Sequence, residues 1–239
     1  ERVRKAPLQL ALSRIPIERL NENSRLMQAA VEGGRAAFKV HCVQCHGSGA
    51  AGSKGYPNLN DDDWLWGGTL AEIERTLRVG IRGAHAETRV SDMPAFGRDG
   101  ILTPEQVGDV VSYIGFISRQ EKASTAAQRG GKLFADNCAV CHGPQGKGDR
   151  KLGAPNLTDS IWMYGGDRDT LTQTVTNSRY GVMPAWGARL DPVTLKMLAA
   201  YVHSLGGGED FLPEPVATPT PQAAASATPS NPAKSNVQP

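Results

Sequence analysis

Two five-residue motifs constrain this chain more than anything else in it. Its four cysteines form two C-x-x-C pairs, and each pair runs directly into a histidine: Cys42-Val-Gln-Cys45-His46 and Cys138-Ala-Val-Cys141-His142. With 5 histidines in 239 residues, chance would set one behind both pairs roughly once in 2,000 chains. The motifs sit inside a longer repeat. Gly34-x-x-x-Phe38 precedes the first as Gly130-x-x-x-Phe134 precedes the second. Downstream, Pro57-Asn58-Leu59 matches Pro155-Asn156-Leu157, and Trp66-Gly67-Gly68 matches Tyr164-Gly165-Gly166. Met93-Pro94-Ala95-Phe96-Gly97 matches Met183-Pro184-Ala185-Trp186-Gly187. One order, kept over five landmarks, makes the chain two copies of one unit, at 31–119 and 127–207, joined by a linker at 120–126.

Each copy reads as helical. Thr69 to Val79 places Ile73 and Leu77 on one face. Thr103-Pro104-Glu105 opens a helix through Val110, Val111, Ile114 and Ile117, and Asp191-Pro192 opens its counterpart through Leu195, Leu198 and Val202. No period-two alternation competes, so the expected class is all-α. The Gly-x-x-x-Phe spacing suits a close crossing of first and last helices, where Tyr113 and Tyr201 can pack. The ends differ. Residues 1–30 carry six Lys/Arg against three Glu, and read either as a solvated extension or as a strap after a membrane anchor. Residues 208–239 hold 7 of the 16 prolines among Ala, Ser and Thr, and are expected to be disordered. No apolar run reaches the ~18–20 residues of a membrane span. The chain opens on Glu1 and not on Met, so an upstream segment is expected to have been removed. A formal charge of +2 gives no support to nucleic-acid binding.

C-x-x-C-H is the attachment signature of c-type haem. The two thiols of one helical turn form thioethers with the vinyls of one haem, and the histidine lies under the iron. A thioredoxin-like pair would need a βαβ context, and a zinc site would need four ligands at short spacing. Two covalently bound haems c are therefore expected, at Cys42, Cys45 and His46 and at Cys138, Cys141 and His142. For the sixth ligand, Met93 follows His46 by 47 residues and Met183 follows His142 by 41, each expected to serve its own repeat. His85 is the rival in the first. His41 and His203 are read as surface or packing residues. The carbonyls of Pro57 and Pro155 are candidates to hold the free ring nitrogens of the histidines. Trp64, Trp66, Trp162 and Tyr164 either cover the haem edge or fill the core. Arg82, Arg89 and Arg179 are candidate propionate partners. The acidic run Asp61-Asp62-Asp63 is either a capped turn or a docking patch for a basic partner.

The repeated Gly-x-x-x-Phe, C-x-x-C-H, Pro-Asn-Leu and Met-Pro resemble class I c-type cytochrome domains, small helical folds with a His/Met haem. The stretches GYPNLNDDDWLWGGTLAEIERTLRVGIRG (55–83), SDMPAFG (91–97), GAPNLTDSIWMYGG (153–166) and YGVMPAWG (180–187) together resemble the dihaem subunit III of cbb3-type cytochrome c oxidases. That resemblance covers residues 7 to 207. It implies an electron-transfer subunit without catalysis of its own. Electrons pass from a donor cytochrome c, through the monohaem c-type subunit, to the haem–copper core of a proton-translocating oxidase. It also implies a membrane helix ahead of Glu1 and a place on the periplasmic side of the bacterial inner membrane. A free periplasmic dihaem carrier, a dihaem subunit of another redox enzyme and a dihaem peroxidase are the alternatives; two Met-Pro loops argue against the last.

Overall fold

Six of the longer helices begin where a short polar side chain, Asn23, Thr69, Thr103, Ser124, Asp167 or Asp191, closes the open N-terminus. In the computed structural model, which describes residues 2–210, nine α-helices and one 3₁₀ turn follow in order. They are α1 (Arg2–Arg14), the 3₁₀ turn Ile17–Glu22, α2 (Ser24–His41), α3 (Val43–His46), α4 (Leu70–Val79), α5 (Pro104–Ile117), α6 (Thr125–Asn137), α7 (Ala139–His142), α8 (Arg168–Asn177) and α9 (Pro192–His203). Thr69 caps α4 with a reciprocal bond from Glu72, and Thr103 caps α5 likewise with Gln106. Asp191 caps α9 through the N–H groups of Val193 and Thr194. Among the described residues there are isolated β-bridges and no strands, so the all-α expectation holds.

The packing does not follow the repeats. Helix α2, which opens the first repeat, packs on α9, which closes the second, while α6 packs on α5. In the same sense α4 packs on α9, and α8 on α5. Two cores result. The first gathers Phe38, Cys42, Leu70, Ile73 and Leu77 with Leu195 and Leu198. The second gathers Phe134, Cys138, Leu171 and Val175 with Val107, Val110 and Ile114. Each packing unit is thus the first three helices of one repeat closed by the last helix of the other. The expected crossings occur, but between repeats. Phe38 meets Tyr201 with ring centroids 5.3 Å apart, and Phe134 meets Tyr113 at 5.1 Å. A side chain at Gly34 would overlap the carbonyl oxygen of Met197, and one at Gly130 that of Asp109.

The ends also depart from the sequence reading. The segment 1–30 is not a solvated extension throughout. Leu12, Ile17 and Leu20 are buried in the first core, and α2 already starts at Ser24, behind the N-cap Asn23. Buried Lys196 of α9 donates to the carbonyls of Leu12 (2.8 Å) and Ile15, closing the C-terminal end of α1. At the other end, Glu209 binds back on Gly68, its backbone N–H to the carbonyl and its carboxylate to the N–H. Residues 208–210 of the expected disordered tail, 208–239, are thus described, with Glu209 held on Gly68; the remainder, from 211 onward, lies outside the described residues.

Candidate haem-binding sites

Cys42 is the residue on which α2 stops. Its φ of −117° breaks the regular helix, and the single turn α3 then carries Cys45 and His46 back over it. The N–H groups of Cys45 and His46 both donate to the Cys42 carbonyl, at 3.2 and 2.9 Å. Cys138, Cys141 and His142 repeat this, with bonds of 3.1 and 2.9 Å. Burial, with the neighbouring cysteine second, pushes the thiols of Cys42 and Cys138 up to about 11, so the inner thiol of each pair is held in its protonated form. The outer ones, Cys45 and Cys141, are more open.

After each histidine the chain turns at a left-handed glycine, Gly47 or Gly143, and comes back through Gly52 or Gly148. The N–H of Gly52 donates to the His46 carbonyl, and that of Gly148 to the His142 carbonyl. Any Cβ on Gly148 would press on Ala154 and Pro155. This close return brings the Pro57 carbonyl 3.3 Å from His46 Nδ1 and the Pro155 carbonyl 3.0 Å from His142 Nδ1. A carbonyl only accepts, so each Nδ1 carries the proton and each Nε2 keeps its lone pair. Burial holds both rings below the usual histidine range, the proline carbonyls opposing it. Both therefore offer a neutral, oriented imidazole.

The methionines are crossed. Met183 exchanges both backbone hydrogen bonds with Ile81, at 2.9 and 3.0 Å, and the following turn is tied down by Trp186 and Gly187 N–H groups on the Leu77 and Arg78 carbonyls. Its side chain packs on the core that contains Cys42, while Met93 packs on the core that contains Cys138. The loop after Met93 is fixed by Gly97 and Arg98 donating to the Thr176 carbonyl of α8. The structure does not set Met93 on the core of its own repeat's cysteines, as the expected pairing with His46 had it: the Met loop travels with the last helix, and that helix closes the other repeat. His85, the rival ligand, accepts the Glu87 N–H at Nδ1 within its own loop. The zinc alternative fails on the same geometry, since the two cysteine pairs lie in separate cores.

Around these sites the two repeats meet at Trp66 and Tyr164. Trp66 is buried, with the Arg89 guanidinium 5.2 Å above its ring and Gly153 of the second repeat against it. Tyr164 lies under Arg179 at 5.5 Å and touches Gly55 of the first repeat. Trp64, by contrast, donates its indole N–H to the Gly207 carbonyl, and Trp162 packs on the second core. Asp61 to Asp63 is not simply a solvated turn. The Asp61 carbonyl lies against Gly207, and burial, then Asp159 and Asp61, push Asp63 up to about 6. Among the described residues, two buried side-chain donors have no partner: Arg89 Nε and Ser178 Oγ. Two thiols, an oriented imidazole and a methionine on the same core together suit a haem c in each unit.

A sequence model of subunit III of cbb3-type cytochrome c oxidase matches residues 29–114 and 125–202. The chain belongs to this family. The subunit III relatives include the CcoP subunit of Cereibacter sphaeroides, 55% identical over 185 residues, which are 77% of this chain and 64% of that protein. The FixP subunit of Azorhizobium caulinodans is 50% identical over 83% of this chain and 67% of its own length. That of Rhizobium meliloti is 52% identical over 81% and 66%. The chain therefore spans about two thirds of the curated subunit III proteins it matches. No helix among the described residues is long and apolar enough to cross a membrane.

Proposed function

We propose that this chain is the dihaem electron-transfer part of a cbb3-type oxidase subunit III. Cys42 and Cys45 hold one haem c and Cys138 and Cys141 the other. His46 and Met183 ligate the first iron, and His142 and Met93 the second. Haem c supplies reversible one-electron exchange between ferric and ferrous iron. The residues supply the rest. The Pro57 and Pro155 carbonyls fix the imidazoles, the thioethers favour the ferrous state, and the two cores keep water from the ligands. The observation that carries this reading is the double convergence: in each unit a C-x-x-C-H turn with a carbonyl-held histidine shares one core with a Met-Pro loop. The chain takes electrons from a donor cytochrome c and hands them toward the monohaem and haem–copper subunits, on the periplasmic side of the membrane. The relatives' names, subunits of a cbb3-type cytochrome c oxidase, support a place in the electron path of such a complex. Denatured protein matured in a bacterial periplasm should gain the mass of two haems, and its visible spectrum should be low-spin in both redox states. One haem mass, or haem extractable by acid acetone, rejects the reading.

A further inference from the structure

Three arginines face the seam between Trp66 and Tyr164, and they differ in what satisfies them. Arg82 pairs with Asp92 at 3.0 Å and donates to the Ser91 and Gly181 carbonyls. Arg179 donates to Gln173 Oε1. Arg89 makes one long bond, Nη2 to the Glu72 carbonyl at 3.4 Å, and its Nε is buried with no acceptor. The charged groups that bear on it are Glu72 and Arg75, both of α4. The Glu72 carboxylate is already committed to the N–H and hydroxyl of Thr69. Arg75 only adds positive charge. Burial, then Arg75, draw the Arg89 guanidinium below its ordinary range. A partly buried guanidinium facing an aromatic ring and lacking an anion is costly unless one arrives. Its position says which anion. The Arg89 N–H donates to the Gly80 carbonyl, and the next residue, Ile81, is the one paired to Met183. Arg89 therefore stands beside the ligand loop of the first unit.

We infer, on the reading of that unit as a haem c site, that Arg89 binds a propionate of the haem held by Cys42, Cys45 and His46, with Trp66 supporting the guanidinium. The planar fork matches a carboxylate, and the freed Nε supplies the missing bond. Two effects follow. The guanidinium keeps the propionate ionised, and its positive charge favours the ferrous iron.

The test is a spectroelectrochemical titration of the full chain with both haems in place, across about pH 5 to 8. Arg89→Gln should keep two low-spin haems, lower the potential of one, and give that potential a pH dependence the parent lacks. Arg89→Lys, which keeps the charge and loses the fork, should show a smaller drop. The affected haem should be the one that Met183→His moves. Unchanged potentials and pH profiles in Arg89→Gln overturn the assignment, as does a shift of the haem that Met93→His moves. If Arg89→Gln does not accumulate, Trp66→Leu must lower the same potential, and no shift there overturns it too. A parent protein without two low-spin haems would instead defeat the underlying haem reading.

Discussion

On the proposed ligation a thioether tunes only the iron it reaches, and the packing of Met183 with Cys42 and of Met93 with Cys138 sets which substitution acts on which haem. Replacing Cys138 and Cys141 by Ala leaves one covalent haem, that of His46. In this background Met183→His should lower the remaining potential by roughly 0.1–0.3 V, a fraction of the ~0.8 V that axial ligands command. The near-infrared Met-to-iron band should disappear with it. Met93→His in the same background should leave both unchanged. The opposite result would return each methionine to its own repeat, against the packing of Met183 with Cys42 and of Met93 with Cys138. The histidines need no such exchange. Each is positioned by a carbonyl 11 or 13 residues further along its own repeat, which is why those partners could be read from a repeated Pro-Asn-Leu.

At the scale of elements, the two helix crossings depend on glycines that let backbones touch. Gly34→Ala would drive a methyl group into the Met197 carbonyl, and backbone cannot step aside as a flexible side chain can. It should destabilise the protein by about 1–3 kcal/mol, read as a lower denaturant midpoint. Gly108, inside α5, has open space where its Cβ would be. Gly108→Ala should raise stability by about 0.5–1 kcal/mol from propensity alone. A loss at Gly108, or none at Gly34, would contradict the crossing geometry. The elements themselves were legible in the sequence: Thr69, Thr103 and Asp191 mark the starts of α4, α5 and α9 as their capping chemistry requires. The exchange was not. Tyr113 and Tyr201 fit the same Gly-x-x-x-Phe face, so likeness between the repeats erases the information on which helix meets which. Lys196 hid for a similar reason. Its partners are the carbonyls of Leu12 and Ile15, 184 and 181 residues away, and no side-chain pattern announces a carbonyl.

For the whole molecule, the question is what makes the repeats close on each other and not each on itself. The answer lies where the repeats differ. Gly33 and Arg129 hold equivalent places on α2 and α6, and Met197 and Asp109 hold equivalent places on α9 and α5. In the structure the Met197 thioether occupies the space that Gly33 leaves open. Arg129 binds Asp109 through two parallel bonds of 2.7 and 2.6 Å. Closing each repeat on itself would set the buried Asp109 carboxylate against Gly33, without its cation, and Met197 against Arg129. A buried carboxylate stripped of its partner is strongly disfavoured, and Lys196 would also leave the α1 carbonyls it satisfies. The mismatches act as discrimination against the self-closed form, as polar pairs do in other intertwined assemblies. The consequence can be tested by cutting the chain between the repeats. Residues 1–123 and 124–239, produced as separate chains in one periplasm, should co-purify one to one. The pair should carry two low-spin haems and the full Met-to-iron band. Each half made alone should lack that band, because its methionine is shaped for the other's iron. Two independent monomers, each with a complete band, would show that the connecting loops impose the exchange and that the Gly33–Met197 and Arg129–Asp109 pairs do not select it.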